Sequence, residues 1–210
     1  FTNNELATAV GLEGQIVGRN APTLYNVGYK TRMFHDARES TLEQQAWQPI
    51  VNPVEMANPS IGWVIAKLRE SKDYDGLFEA AFGDRGVTMG SVADALASYQ
   101  RTLLAANSPF DRWYYGDEAD ALDASAKRGF ALFTGQGNCS SCHRIGEDHA
   151  LFTDEGLHNT GTGYERAMGE PPGPQRVALA PGVFGEAPPE SVAVVSGAVA
   201  GNDLGRYEVT

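Results

Sequence analysis

The residues of this chain that are best suited to chemistry lie in one short stretch, which reads GNCSSCHRIG from Gly137 to Gly146. It contains both cysteines of the 210-residue sequence, Cys139 and Cys142, and His143 directly follows the second. At this spacing two thiols can add to the two vinyl groups of one haem while the adjacent imidazole reaches the haem iron. The pattern predicts a covalently attached c-type haem with His143 as an axial ligand.

Three other interpretations of the cysteines agree less well with the sequence. A structural zinc site needs four ligands, and two cysteines and four histidines without a second closely spaced ligand pair do not supply them. A thioredoxin-like pair needs a βαβ setting, and a disulfide across so short a loop would be strained. Because c-type haems are attached outside the cytoplasm, the motif also predicts a periplasmic or other extracytoplasmic location.

The second axial position of the haem iron has two interpretations. A protein ligand there would make an electron carrier, whereas an open position would bind peroxide or another small ligand. The candidate protein ligands are Met168, His149 and His158. A packing or surface methionine explains Met168 at least as well, and local hydrogen bonding is the favoured interpretation of the two histidines.

The elements that must position this motif are predicted to be helices. Thr41 and Gln44 resemble a capping box that opens a short helix, which Pro49 must end or kink. A second helix is predicted from Ser60 to about Arg69, because apolar residues recur there at helical spacing. Its apolar face consists of Ile61, Val64, Ile65 and Leu68.

Three further helices are predicted before the cysteines. YDGLFEAAFG indicates a short helix that ends at Gly83, and TMGSVADALASYQRTLLAA is the most strongly periodic segment of the chain. A third helix over residues 121–133 leads into the haem motif. The predicted apolar stripe of the periodic segment consists of Val92, Leu96, Tyr99, Leu103 and Leu104.

The remaining segments are predicted to be irregular. Residues 1–40 resemble loop with one short strand, and residues 107–123 break the helical pattern with Pro, Asp and Gly, which indicates a domain boundary. From Gly161 to Asp203 the composition shifts to Gly, Pro, Ala and Val, which indicates a long loop. No strand pattern persists, so the sequence predicts a mainly α fold.

The composition excludes several classes of function. Hydrophobic residues make up 42% of the chain and charged residues 20%, and no apolar run approaches the roughly 20 residues that span a bilayer. The net charge of -11 argues against nucleic-acid binding, which needs a basic surface, and is compatible with a basic protein partner. No signal peptide is visible, and we expect both ends to be interior to a longer protein.

Six motifs together indicate a family. In order along the chain they are GRNAPTLYNVGY, STLEQQAWQPIVNPVEM, ALASYQRTLLAANSPFDRWYYGD, AKRGFALF, CSSCH and FTDEGLHNTG. Over nearly the whole chain this series resembles the bacterial di-haem cytochrome c peroxidases and their MauG-like relatives. The resemblance implies two cytochrome c-like domains with long irregular loops. Residues 1–115 would be the remainder of an N-terminal domain with a peroxidatic haem, and residues 116–210 part of a C-terminal domain with an electron-transfer haem.

The resemblance also implies catalytic residues. The attachment motif of a second haem c is expected just before Phe1, and Gln45, Pro49 and Glu55 are expected over the peroxide-binding face of that haem. A carboxylate there can carry a proton from one peroxide oxygen to the other, an amide can orient the peroxide, and proline can crowd the face without acting as a ligand. Without the resemblance, Glu55 and Gln45 would be interpreted as solvated surface residues.

Three further expectations concern the region between the domains. Asn20 matches a position where the family binds calcium, and its amide oxygen suits that ion. His35 stands where many members have a tryptophan between the haems; imidazole is a poorer relay that adds a proton site, and a buried histidine bonded to Asp36 or a haem propionate is an equal alternative. The loop AVGLEGQIVGRN has no histidine where resting members place a blocking ligand, which predicts an open sixth position on the first haem.

The activity implied by the resemblance is the reduction of hydrogen peroxide to water, with electrons from a small donor such as a cytochrome c or a cupredoxin. A MauG-like enzyme that oxidises residues of a partner protein is the alternative within the family. The distal ligand of the electron-transfer haem held by His143, methionine for the peroxidases and tyrosine for MauG, would distinguish the two and is expected beyond Thr210. A monohaem electron carrier is the alternative from another class if the chain is complete. The expected location is the periplasm, and a homodimer stays open.

Overall fold

The fold is known from a computed structural model that describes residues 9–15, 17, 19–159, 175–180, 183–187 and 206–208, with only the backbone of residue 159 and of the last three ranges. Helices dominate the described residues, which confirms the predicted mainly α class. The α-helices are α1 (Leu42–Gln45), α2 (Trp47–Val51), α3 (Ile61–Glu70), α4 (Leu77–Phe82), α5 (Met89–Arg101), α6 (Pro109–Tyr114) and α7 (Ala124–Thr134). The 3-10 helices are Leu12–Gly14, Val27–Tyr29, Lys72–Tyr74, Gly83–Arg85, Ala119–Ala121 and Cys139–Ser141. The strands are β1 (Leu157–Asn159), β2 (Gln175–Ala180), β3 (Val183–Ala187) and β4 (Arg206–Glu208).

The main core lies where α2 to α5 pack together. Trp47 is buried there, and its indole N–H donates to the carbonyl of Met89 across 3.3 Å. The apolar face of α3 packs against this core, as the periodicity predicts. The Ser60 side chain caps the helix by accepting the Trp63 amide. The buried members are Trp47, Phe78, Val87, Val92 and Ala93.

Pro49 divides the first helical segment as predicted. Thr41 caps α1 by accepting the Gln44 amide at 3.2 Å. The helix is interrupted at Ala46, and Pro49 has no N–H with which to bond the carbonyl of Gln45 one turn earlier. Because Pro49 falls in the first turn of α2, where that donor is dispensable, the chain stays helical to Val51.

The buried face of α5 differs from the predicted apolar stripe. Val92 is buried, but Leu96, Tyr99 and Leu104 are exposed. The buried residues of α5 are Ser91, Val92, Ala93, Ala97 and Gln100. Small side chains occupy this face because α1 and the 27–33 segment lie close against it, so that even a Cβ on Gly28 would come within 3.2 Å of the Arg101 side chain.

Residues 107–123 contain a helix where the sequence predicts only a break. Ser108 and Asp111 form a reciprocal capping box, and Pro109 opens α6 at a position that favours proline. The Phe110 ring then packs against Phe130 of α7 and against Phe152, with centroid separations of 5.7 and 5.0 Å. This segment joins the packing around the haem motif, while a domain boundary at residue 115 stays a prediction.

Strands also occur where a long loop is predicted between Gly161 and Asp203. Strands β2 and β3 pair antiparallel, from Gln175 opposite Ala187 to Ala180 opposite Val183. The residues between them in sequence, Pro181 and Gly182, form a dipeptide that is typical of turns. Strand β1 pairs antiparallel with β4. In the described part of residues 1–40, isolated bridge residues stand in place of the predicted short strand, among them the antiparallel pair Met33 and Glu39. None of the described helices has the length and apolar character needed to cross a bilayer.

The start of α5 provides a test of this packing. The Thr88 hydroxyl accepts the Ser91 amide at 3.1 Å, and Ser91 Oγ in turn accepts the Thr88 amide at 2.9 Å. We expect Thr88→Ala to lower the free energy of unfolding by about 1 kcal/mol, because the helix loses its N-cap. Thr88→Ser, which keeps the hydroxyl, is the control in urea denaturation. Equal loss in both variants would show that the cap does not stabilise the helix.

Candidate functional site

The haem motif is positioned by the end of α7. The helix ends at Thr134, and the Gly137 amide donates to the Leu132 carbonyl at 2.8 Å. A Cβ on Gly137 would lie 2.8 Å from the same oxygen, so this close return of the chain requires glycine. Cys139 begins the next 3-10 turn and is exposed, Cys142 is half-buried, and both are free thiols. Two unpaired thiols at the start and just after the end of one 3-10 turn fit attachment to a single haem.

His143 is held in the orientation of a metal ligand. Its backbone amide donates to the Cys139 carbonyl at 3.0 Å, and its Nδ1 lies 2.9 Å from the carbonyl oxygen of Phe152. A carbonyl only accepts, so Nδ1 carries the proton and Nε2 keeps a free lone pair. Metal-binding histidines are oriented in the same way by a hydrogen bond from the other ring nitrogen. The residues present therefore fit a haem bound through His143 Nε2.

A cluster that the sequence analysis missed lies beside Cys142. The Cys142 thiol, the Asp154 carboxylate and the His158 imidazole place one potential ligand atom each within 4.8 Å of one another. His158 Nε2 lies 2.9 Å from Asp154 Oδ2, and Nδ1 faces Cys142 Sγ at 4.0 Å. The Gly156 amide and then His158 lower the pKa of Asp154. Asp154 and His158 are four residues apart but do not lie on a helix, so their spacing in the sequence did not predict this cluster.

The histidines considered as sixth ligands make local hydrogen bonds. His158 has both ring nitrogens directed at Asp154 and Cys142, and exposed His149 pairs with Asp148 through Nδ1 at 2.6 Å. These contacts agree with the interpretation that both histidines make local hydrogen bonds. Met168 lies outside the described residues.

The predicted catalytic residues are brought to neighbouring turns. Gln45 and Pro49 are four residues apart in the α1–α2 segment, and the Met56 amide donates to the Pro49 carbonyl at 3.2 Å, which folds the segment containing Glu55 back onto α2. Asn52 stabilises that turn by accepting the amides of Val54 and Glu55. Gln45, Pro49 and Glu55 are all half-buried. Within the described residues, the Gln45 amide and the Glu55 carboxylate make no side-chain hydrogen bond, so both polar groups are available to a ligand.

The loop predicted to leave the sixth position open lies next to this turn. The Leu12 amide donates to the Val54 carbonyl at 2.9 Å, and the Gly11 amide closes a turn with the Gln15 carbonyl at 2.7 Å. A Cβ on Gly11 would lie 1.8 Å from the Val54 oxygen. Only glycine allows the loop to lie this close to the residue preceding Glu55. The open sixth position itself stays a prediction.

His35 is half-buried in a basic environment. Burial lowers the pKa of its imidazole, Lys30 and Arg19 lower it further, and Asp36 acts in the opposite direction. The Asp36 carboxylate accepts from Arg38 at 2.7 Å and lies 3.4 Å from Arg19 Nε. Among the described residues His35 makes no hydrogen bond to Asp36, so the alternative of a buried histidine bonded to Asp36 is not seen. The imidazole is neutral at neutral pH.

Asn20 is the residue of the described chain that is predicted to bind calcium. Its Oδ1 accepts the Ala21 amide at 2.9 Å. Calcium takes 6–8 oxygen ligands, and one side-chain amide is too small a part of such a shell to identify it. Calcium binding at Asn20 stays a prediction.

Comparison with known proteins assigns the family. The family model described as "Di-haem cytochrome c peroxidase" matches residues 1–119, more than half of the chain. The chain belongs to the di-haem cytochrome c peroxidase family. The "Methylamine utilization protein MauG" of Methylorubrum extorquens is 41% identical over 157 residues, which are 74% of this chain and 43% of that protein. The "Cytochrome c peroxidase Ccp" of Escherichia coli is 38% identical over 136 residues, which are 65% of this chain and 29% of that protein.

Solved structures agree with this assignment. The diheme peroxidase BthA of Burkholderia thailandensis matches 74% of this chain and 43% of its own with a TM-score of 0.65 and 25% identity. A MauG-like protein associated with microbial copper homeostasis matches 97% of this chain and 57% of its own with a TM-score of 0.66; at 21% identity it shows the fold alone. The chain spans less than half of the two curated relatives named above. The family predicted from the six motifs is confirmed.

Gly11 allows a test of how this di-haem peroxidase family member positions the loop beside Glu55. We expect Gly11→Ala to lower the free energy of unfolding by about 1–3 kcal/mol, because the new methyl group must displace the loop from the Val54 carbonyl. Gly129→Ala is the control: a Cβ there meets nothing within 4 Å in the middle of α7, so stability should rise by about 0.5–1 kcal/mol. Urea denaturation measures both. A neutral Gly11→Ala variant would show that the loop does not depend on this contact.

His35 gives a pH-dependent expectation. The pKa of its imidazole is lowered from 6.5 in the folded state, so as pH falls below that value the unfolded chain binds a proton that the folded chain resists. Wild-type stability should therefore fall as pH decreases through this window, and His35→Gln should remove this part of the loss. Urea denaturation of both proteins at about pH 7.5 and about pH 5 measures the difference. Unfolding free energies that change in parallel would contradict the neutral, buried state of His35.

Proposed function

We propose that this chain is part of a c-type haem peroxidase that reduces hydrogen peroxide to water with electrons from a small redox protein, a cytochrome c or a cupredoxin. The observation that carries the proposal is the orientation of His143, whose Nδ1 bonds to Phe152 and whose Nε2 is free, directly after two unpaired thiols. Membership of the di-haem cytochrome c peroxidase family supports it, and so do relatives named cytochrome c peroxidase in several bacteria.

The residues toward the haem have separate roles in this proposal. Cys139 and Cys142 would hold the haem through thioether bonds, and His143 Nε2 would bind its iron. A bound haem supplies a redox-active iron that accepts and passes on single electrons. The Phe152 carbonyl orients the His143 ring by accepting its Nδ1 proton. Because the CSSCH motif lies in the second half of the series of family motifs, we assign the haem that it would hold to electron entry.

The residues toward peroxide are Glu55, Gln45 and Pro49. The Glu55 carboxylate would take the proton from one peroxide oxygen and return it to the other, which leaves as water. The Gln45 amide would orient the peroxide by hydrogen bonding. Pro49 would crowd the peroxide-binding face of the haem without offering a ligand atom. Two electrons and two protons are consumed for each peroxide reduced to two waters.

Several finer assignments complete the proposal. A second haem c attached N-terminal to Phe1 would lie in the domain that includes residues 1–115, and residues 116–210 would form part of the electron-transfer domain. His35 would lie between the two haems, and Asn20 would contribute to a calcium site between the domains. The periplasm is the proposed location, since c-type haems are attached outside the cytoplasm.

A MauG-like oxidation of a partner protein is the second candidate function. The observation that favours it is sequence identity: two of the relatives named MauG are 41% and 40% identical to this chain. The distal ligand of the haem held by His143 separates the two functions, since the family resemblance implies methionine for peroxidases and tyrosine for MauG. Haem quantification separates both from a monohaem carrier, which would hold one haem and turn over no peroxide.

The role of Glu55 has a direct test. We expect Glu55→Gln to lower the rate of peroxide turnover by at least about 10²-fold, because an amide cannot accept and return the proton. Glu70→Gln, at the exposed C-terminal end of α3, makes the same change of charge and should keep the wild-type rate. Stopped-flow reaction of the haem-loaded protein with hydrogen peroxide measures both. A wild-type rate in Glu55→Gln would remove this residue from the mechanism.

A further inference from the structure

One carboxylate joins two segments that lie far apart in the sequence. Glu155 Oε1 accepts the backbone amide of Thr31 at 2.7 Å, and Oε2 accepts the hydroxyl of the same threonine. The two residues are 124 positions apart, on opposite sides of the predicted domain boundary. A two-point bond of this kind fixes direction as well as distance.

Glu155 belongs to a tightly held turn, residues 152–156. The Glu155 amide donates to Thr153 Oγ1 at 2.9 Å, and the Gly156 amide donates to Asp154 Oδ1 at 2.7 Å. Phe152 and Glu155 both have positive φ, 54° and 53°, which side-chain-bearing residues adopt only where their surroundings require it. The 152–156 turn is therefore fixed by its own side chains as well as by its two ends.

The other end of the turn holds the haem ligand. The Phe152 carbonyl accepts the Nδ1 proton of His143 at 2.9 Å. The Phe152 ring packs against Phe110 and Phe133, with centroid separations of 5.0 and 5.9 Å, and these contacts restrict its backbone. Only two residues, Thr153 and Asp154, thus separate the residue whose carbonyl orients His143 from the residue whose carboxylate binds Thr31.

Thr31 in turn begins the loop that contains His35. The Met33 amide donates to the Glu39 carbonyl at 2.8 Å and closes this loop, and Met33 is buried in the core. Within it the Arg38 guanidinium stacks on the Phe34 ring at 3.4 Å from the centroid. Thr31 lies two residues before this closure, so its bond to Glu155 and the Met33–Glu39 bridge together hold the segment of chain that leads to His35.

We propose that the 152–156 turn couples the haem ligand His143 to the His35 loop, with Glu155 and Thr31 as positioning residues for electron transfer between the two haems. The inference rests on the proposed function, in which electrons pass from the haem held by His143 to the peroxidatic haem. Electron transfer depends steeply on separation and orientation, so a fixed link between the two segments keeps the rate high. Loss of the Glu155–Thr31 contact lets the His35 loop move relative to His143.

Hydrogen exchange tests the contact itself in the haem-loaded protein. Thr31 is exposed, so protection of its amide depends on the bond to Glu155. Glu155→Ala should speed exchange of this amide about tenfold. Glu147→Ala removes an exposed carboxylate from the same part of the chain and should leave it unchanged. Unchanged exchange in Glu155→Ala would overturn the proposal.

The rate of electron transfer between the haems tests the positioning role. After photochemical reduction, the rate should fall about threefold to thirtyfold in Glu155→Ala and in Thr31→Val, and recover in Thr31→Ser. The double variant should be no slower than Glu155→Ala alone, since both changes remove one contact. The absorption spectrum of the haem bound by His143 should not change, because the Phe152 carbonyl is retained.

The possible outcomes separate this proposal from the proposed function. Faster amide exchange with an unchanged inter-haem rate would overturn the positioning role. A protein with two haems that transfers electrons between them but does not turn over peroxide would overturn the proposed function and leave this inference standing. A protein with a single haem would overturn both.

Discussion

The hydrogen bond from His143 Nδ1 to the Phe152 carbonyl is the constraint on which the rest of the site depends. It fixes the tautomer and leaves Nε2 as the free ligand atom, which a cysteine pair alone could not do. The carbonyl is held in place because the Phe152 ring packs into the aromatic cluster formed with α6 and α7. Aromatic packing in this half of the chain therefore holds the His143 ring in the orientation that the proposed iron ligand requires.

The first half of the chain meets a different requirement, which is to bring backbone segments close together around Glu55. Small residues occupy two of the close approaches among the described residues. Gly11 lies against Val54, and Ala97 is fully buried where α1 and the 27–33 segment lie against α5. The larger apolar residues of α5, such as Leu96 and Tyr99, are displaced to its exposed side. Close backbone contact, rather than a wide apolar stripe, determines which face of α5 is buried.

Local signals predicted local structure well and tertiary contacts poorly. The capping serine of α3, the glycine that ends α4 and the interruption before Pro49 depend on neighbours within one turn, so the sequence contained them. The buried face of α5 depends on what packs against it, and α6 was hidden because its Ser-Pro start resembles a break. Within the candidate site, the motif predicted His143 as a ligand, but nothing local indicated Phe152 as its partner. Gln45, Pro49 and Glu55 came from family resemblance, since a lone acid and amide have no distinctive pattern.

The distribution of charge gives His35 a definite state. The chain carries a net charge of -11, yet Arg19, Lys30 and Arg38 all act on this imidazole. Together with burial they keep it neutral, so it has one N–H to donate and one lone pair to accept a proton. Negative charge that arrives nearby raises its pKa again, because it offsets the same cations. A tryptophan at this position would have no basic nitrogen to respond in this way. Histidine at this position therefore adds a titratable nitrogen that tryptophan lacks.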